Sequence, residues 1–296
     1  MWSRSVSLDP IGSAGCYEGY LLLTVPLPWP GDISDLPGIA RLVALGRARG
    51  IRVQAICSAE RAGAAMLYRR TPTGTGFTRY ERTEVRVERN DSSIEAAEAL
   101  LSGEVKVQVL TSDEAPRDVL VCTHGRRDRC CGSMGTSLFM DLQARTDQSC
   151  WSGIRLWRTS HTGGHRFAPT VLILPEGTLW AFMDAPSVEA VLARDGNTRS
   201  LAPCYRGCTG LATPEAQVLE RVALMDSGWQ VFDSCRSSIV EGDGSHVLEC
   251  SWANGDTAQW RGHIQSHQVG PLPPCGGKVA DGNTWTTSWS VAVPSS

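Results

Sequence analysis

Hydrophobic and polar positions follow two periods along the chain. Tyr20–Val25 (YLLLTV) is a continuous apolar run and predicts a buried strand, ending at the Pro-rich turn PLPWPG. Over Leu36–Arg49, residues Leu36, Ile39, Ala40, Val43 and Ala44 fall at helical spacing, and Gly50 suits a helix C-terminus. Ile51–Cys57, Ala65–Arg70 and Phe77–Glu84 predict strands, the last two flanking the turn residues TPTGTG. Ser93–Leu101 predicts a helix stopped at Gly103. The same order then recurs. Val119–Cys122 predicts a strand, Met134–Arg145 a helix with Met134, Leu138, Phe139 and Leu142 on one face, and Ile154–Thr159 a strand. Thr170–Leu174 and Leu179–Met183 predict a hairpin around Pro-Glu-Gly, and Pro186–Ala193 a helix. Both stretches read β-α-β-β-β-α, which predicts an α/β sandwich with helices on the sheet faces.

Beyond residue 200 the pattern changes. Pro214–Met225 predicts a helix, with Val218, Leu219, Val222 and Leu224 apolar. Short β-like pieces rich in Ser, Trp, Gly and His follow, and the last residues, TWTTSWSVAVPSS, read as an edge strand or a frayed tail.

Composition narrows the function classes. A chain of 296 residues, 42% hydrophobic, can bury a large core without staples. No stretch approaches about 18 consecutive apolar residues, so no membrane span is expected. The opening MWSRSVSLDPIGSAGC has no apolar signal region, which predicts a cytoplasmic protein. A net charge of −3 argues against general nucleic-acid binding. Eleven cysteines are many for such a chain. In a reducing compartment they are buried thiols, metal ligands or catalytic groups.

The segments CTHGRRDRCCGSMG and SHTGGHRFAPT concentrate the chemistry. Cys122, Cys131, His161 and His165 are soft or borderline ligands, a set suited to zinc, copper or an iron–sulfur cluster. Cys130 stands beside Cys131, and His124 between the sulfurs reads as a hydrogen-bonding or surface residue rather than a ligand. His161 and His165 have the four-residue spacing of a zinc-binding helix, but Gly163 and Gly164 intervene. Two glycines cost a helix about 2 kcal/mol, so a loop is expected. Cys122 ends one predicted strand and Cys131 precedes a helix, the crossover where α/β sheets build sites. Seven arginines (126, 127, 129, 145, 155, 158, 166) against three aspartates between residues 121 and 170 predict a basic rim. Arg127 and Asp128 read as a local ion pair; Trp151, Trp157 and Trp180 as core. Cys204 with Cys208, and His263 with His267 at a four-residue spacing, are weaker metal candidates. Phosphate loops, dinucleotide fingerprints and nucleophile elbows are absent from the sequence.

Together CTHGRRDRCCG and HTGGHRFAPT, with the leader LLLTVPLPWP, resemble the sucrase/ferredoxin-like family of thioredoxin-like ferredoxins, over roughly residues 16–200. The resemblance implies an α/β, thioredoxin-like fold in two tandem halves, with a small C-terminal β/irregular appendage. The boundaries expected are 1–112 for a degenerate N-terminal copy, 113–200 for the cluster domain and 201–296 for the appendage. It implies a 2Fe–2S cluster held by Cys122, Cys131, His161 and His165, with Cys131 preferred over Cys130 for its place next to Gly132. A cis Ala168–Pro169 bond beside the site is also implied. The implied function is electron transfer to an acidic redox partner, without nucleic acid or membrane, at a potential that falls with rising pH. An oxidoreductase acting on a bound small substrate and a zinc-stabilised interaction module are the alternatives. The word "sucrase" carries no expectation of glycoside hydrolysis, since no carboxylate pair can be nominated.

Overall fold

The computed structural model describes residues 8–58, 63–71, 76–86, 93–103, 116–147, 151–272 and 284–292, with the main chain alone at 165 and from 269 onward. The chain divides into two compact units, one of residues 17–71 and 79–177, the other of residues 1–16, 72–78 and 178–296. No helix among the described residues is long and apolar enough to cross a membrane.

The first unit opens with β1 (Gly19–Thr24), α1 (Ile39–Ala48), β2 (Ile51–Cys57), β3 (Ala64–Arg70), β4 (Tyr80–Arg86) and α2 (Ser93–Ser102). It continues with β5 (Arg117–Cys122), α3 (Thr136–Gln143), β6 (Ile154–Thr159) and β7 (Val171–Leu174). Seven strands lie side by side in the order β4-β3-β1-β2-β6-β5-β7. β1 runs parallel to β2 and antiparallel to β3. β5 repeats this, parallel to β6 and antiparallel to β7. The two strand sets are joined by antiparallel pairing of β2 with β6, Ile56 opposite Thr159 and Cys57 opposite Arg158. That shared edge is why this unit takes in strands from both sides of residue 112, whereas the sequence boundary separates them.

The local chemistry explains the element ends. Helix α1 starts at Ile39 rather than Leu36 because Gly38 adopts a left-handed φ of 78°. Gly50, at φ 67°, donates its N–H to the Arg47 carbonyl, as a helix-terminating glycine does. β1 is buried along its whole length, as its unbroken apolar run requires. Leu21, Leu23, Ile39, Leu42, Val53, Leu67 and Leu100 make the core between β1–β3 and helices α1 and α2.

Deeper in the sheet sits a charged centre with no counterpart in the sequence reading. Asp118 of β5 is fully buried. Arg155 grips it with two bonds of 2.7 Å, Trp157 Nε1 donates to it at 2.6 Å, and the Tyr68 hydroxyl also donates to it. Arg155 also reaches Glu84 at 2.8 Å. Arg155 is therefore spent in the interior and is not part of a basic rim. Burial beside the Asp118 carboxylate pushes the Tyr68 hydroxyl well above its ordinary pKa.

The second unit contains β8 (Thr178–Trp180), α4 (Ala185–Ala193), α5 (Thr198–Leu201), β9 (Tyr205–Cys208) and α6 (Pro214–Ser227). Its remaining strands, β10 (Cys235–Val240), β11 (His246–Ser251), β12 (Thr257–Leu272) and β13 (Thr284–Ala292), form an antiparallel meander. The expected strand to Met183 stops at Trp180, ahead of a left-handed turn at Phe182 with φ 56°. Helix α6 is capped by Thr213, which accepts from Ala216 N–H at 3.2 Å, and has proline in its first turn. Its face carrying Leu219 and Ala223 packs with Val231, Leu248 and Cys250. Glu220 and Arg236 form a buried ion pair, and the Tyr205 hydroxyl donates to Glu220 at 2.7 Å. The C-terminal residues expected as an edge or a tail do pair with β12, as β13.

Candidate metal centre

Cys122 is the last residue of β5, and the chain leaves the sheet there through residues 123–128 before entering a helix. Asp128 starts that helix. Its Oδ1 accepts the N–H groups of Cys130 at 2.8 Å and Cys131 at 3.3 Å, filling donors that a helix start leaves open. Asp128 is thus a helix cap, and the ion pair of Arg127 runs instead to Asp32, at 3.5 Å. The first turns, Cys131–Gly135, are wound as a π-helix before α3 begins, a distortion common where helices carry function. Gly135 lets this helix press on the end of β5. A Cβ there would lie 1.9 Å from the Cys122 carbonyl oxygen.

On the other side, β6 ends at Thr159 and the chain turns through His161–Gly164 as a loop. Gly163 and Gly164 sit at φ 86° and 68°, left-handed values that glycine adopts without steric cost. The helix-like spacing of His161 and His165 therefore is not a helix, as the two glycines required. His165 begins a short 3-10 turn, His165–Phe167; its side chain lies outside the described residues.

These two connections bring Cys122, Cys131 and His161 together, their donor atoms all within 4.8 Å of one another. Both sulfurs are buried, at 0% and 1% exposure, and the imidazole is half-buried. Cys130 packs beside them but is outside this three-donor group. Ala168, fully buried, packs against both sulfurs, and the Ala168–Pro169 bond is cis.

Electrostatics polarise the pair of sulfurs. A hydrogen bond from the Cys131 thiol, aided by the His161 side chain and the N–H groups of His124 and Thr162, holds Cys122 well below the usual thiol range despite burial. Cys131 is raised, first by that same hydrogen bond and then by burial. The hydrogen bond between the two sulfurs thus lowers one thiol and raises the other. A ready thiolate, a second sulfur and an imidazole converging in a dry cleft form a donor set that could hold a metal.

His124 is buried, at 3% exposure, and binds through both ring nitrogens. Nδ1 accepts the His161 N–H at 3.2 Å, which leaves Nε2 as the N–H that donates to the Pro30 carbonyl, at 2.5 Å. It is a hydrogen-bonding support, not a fourth member of the donor group. Sequence reasoning missed Arg52, whose guanidinium donates to the His161 carbonyl at 2.7 Å. Nothing in its local sequence marks it, because its partner is over a hundred residues away.

The weaker candidates do not assemble. His263 and His267 lie on strand β12, where four residues span about 13 Å, too far to share an ion. Among the described residues, Cys204 and Cys208 join no three-donor group, and burial pushes the Cys208 thiol up to about 12. The described cysteines form no disulfide with one another; Cys150 and Cys275 lie outside the described residues. Trp151, Trp157 and Trp180 are all core.

No solved structure matches the chain. A short stretch is similar to Altered inheritance of mitochondria protein 32 of Meyerozyma guilliermondii, 38% identical over 58 residues. That match spans 19% of this chain and 21% of the relative's length. The family model described as sucrase/ferredoxin-like matches residues 10–207, which takes in both sulfurs and both histidines of the two motifs. A match over that much of its length makes this chain a member of the sucrase/ferredoxin-like family.

Proposed function

We propose that this protein is an electron carrier whose Cys122, Cys131, His161 and His165 hold a 2Fe–2S cluster. The observation that carries the reading is the convergence of two sulfurs and an imidazole within 4.8 Å, from two loops of one sheet. The donor set fits. Cys122 is already disposed to be a thiolate, and N–H groups of His124 and Thr162 point at its sulfur, as donors do around cluster sulfurs. When bound, such a group supplies reversible one-electron exchange at a potential raised by its imidazole ligands. The chain's own residues do the rest. Asp128 fixes the start of the helix that carries Cys131. Ala168 and the sheet exclude water from the sulfurs. His161 is the half-buried member of the three donors whose side chains are described.

The repeated β2-β1-β3 and β6-β5-β7 arrangement supports two thioredoxin-like halves, the first without a donor set of its own. An acidic redox partner is supported by Arg126, Arg127 and Arg129, all exposed on the loop between the two sulfurs. A cytoplasmic carrier acting without nucleic acid or membrane belongs to the same reading, and the net charge of −3 supports its nucleic-acid part.

Anaerobic purification followed by iron, sulfide and zinc analysis is the test. Iron and acid-labile sulfide in equal amounts, with a coloured protein, are expected. A colourless protein holding zinc and no iron would replace the carrier with a zinc-stabilised module.

A further inference from the structure

We infer that His124 and Arg52 are positioning residues that clamp the main chain on either side of the His161 α-carbon, and that supplying half of this clamp is what the N-terminal half of the unit does for the metal centre. The inference rests on the reading of His161 as a ligand.

A ligand on a glycine-flanked loop has a mobile backbone unless something fixes it. Three contacts fix this one. The His161 N–H donates to His124 Nδ1 at 3.2 Å. Its carbonyl accepts from Arg52 Nη2 at 2.7 Å. The preceding residue, Ser160, donates its N–H to the Ala55 carbonyl at 2.8 Å and accepts the Ala55 N–H on its hydroxyl at 3.1 Å. The main chain around His161 is thus held at successive peptide groups, two of the contacts coming from β2.

Each clamp is itself anchored in the N-terminal half. His124 donates to the Pro30 carbonyl, and its ring meets the edge of buried Trp29, centroids 5.7 Å apart. Trp29 in turn donates to Val25 O at 3.1 Å. Arg52 is hydrogen-bonded to the Tyr17 hydroxyl, and its Nε lies 2.6 Å from the Gln54 amide oxygen in the orientation that satisfies that side chain. Fixing the two peptide groups on either side of the His161 α-carbon leaves the imidazole its side-chain rotation, and contacts of this kind orient a ligand.

The experiment measures hydrogen–deuterium exchange on the full chain as purified, alongside its visible and paramagnetic resonance spectra. His124→Phe keeps the ring volume and removes both nitrogens. His124→Asn retains an acceptor close to the Nδ1 position. Arg52→Met keeps the apolar stem and removes the donor. Exchange over residues 160–164 is expected to rise about fivefold to tenfold in His124→Phe and Arg52→Met, the effect of losing one buried hydrogen bond. The β5 peptide should be unchanged, and His124→Asn should restore most of the protection and the wild-type spectrum. Wild-type exchange over residues 160–164 in both His124→Phe and Arg52→Met overturns the clamp. If His124→Phe does not fold, as read by circular dichroism, Arg52→Met decides alone. Zinc in place of iron in the wild type would sink the electron-carrier reading while leaving the exchange result to judge the clamp.

Discussion

The two halves of the first unit share a three-strand arrangement, and their chemistry parts at the end of the first strand of each. In the N-terminal half β1 ends at Thr24, whose hydroxyl is consumed in the sheet by the Ala64 N–H at 2.8 Å and the Ala64 carbonyl at 3.2 Å. In the second half β5 ends at Cys122, whose sulfur turns toward Cys131 and His161. After β1 the chain passes through a proline-rich turn without cysteine or histidine, which offers the Pro30 carbonyl, the Trp29 ring and the Asp32 carboxylate. After β5 it passes through a loop that carries sulfur and exposed arginines. The same strand–loop–helix geometry therefore makes a support in one copy and a donor site in the other. The framework is general and the chemistry sits in the loops.

The comparison is broken most completely at the strand ends. Cys122→Ser should abolish metal retention, and Cys131→Ser should do the same, whereas Cys130→Ser should retain the bound metal. Metal analysis of the three purified variants checks this. The opposite order for Cys130 and Cys131 would move the donor to the other sulfur.

Next in size is the charged centre that both halves feed. Asp118 comes from β5, its partners Arg155 and Trp157 from β6, and Tyr68 from β3 of the other half. Asp118→Asn leaves the buried Arg155 guanidinium without its carboxylate, an imbalance that costs about 3–5 kcal/mol. Urea unfolding should register it. A loss below about 1 kcal/mol would mean that water or Glu84 carries the arginine's charge instead.

Gly135→Ala tests the close approach of the helix to the end of β5, beside the donor site. The new methyl meets the Cys122 carbonyl, and a destabilisation of about 1–3 kcal/mol is expected in thermal melts. The smallest effect is expected at Asp32–Arg127, where the proline-rich segment of one half touches the donor loop of the other. Hydrogen bonds from Ser34 hold the Asp32 carboxyl below its ordinary range. A group so depressed stabilises fully above the unfolded-state pKa and loses its contribution as pH falls through the folded value. Asp32→Asn should thus cost about 0.5 kcal/mol or less near neutral pH, since both partners are half exposed, and nothing in strong acid. A difference that grows on acidification would contradict this.

Much of the scaffold was legible in the apolar pattern. Ile154–Thr159 was placed residue for residue, and the β-α-β-β-β-α order of both halves follows from runs of apolar residues closed by Gly and Pro. The boundaries that moved did so for backbone reasons invisible to hydropathy, at Gly38 and Phe182. The site was legible as a list of donors, because cysteine and histidine in glycine-punctuated loops are rare enough to notice. Arg155 was misplaced on the surface because an arginine in a strand looks the same whether it meets water or a buried carboxylate.

What the sequence determined by itself is the periodicity of the elements and the identity of the donors, since both are local properties of side-chain type and spacing. Which sulfur of the vicinal pair faces Cys122, which carboxylate takes which arginine, and that Arg52 and Pro30 reach the His161 loop were decided by the pairing of β2 with β6 and the packing of the helix on β5. Most of those contacts join residues far apart in the chain, and their energies depend on burial and distance, which exist only once the sheet has closed around them.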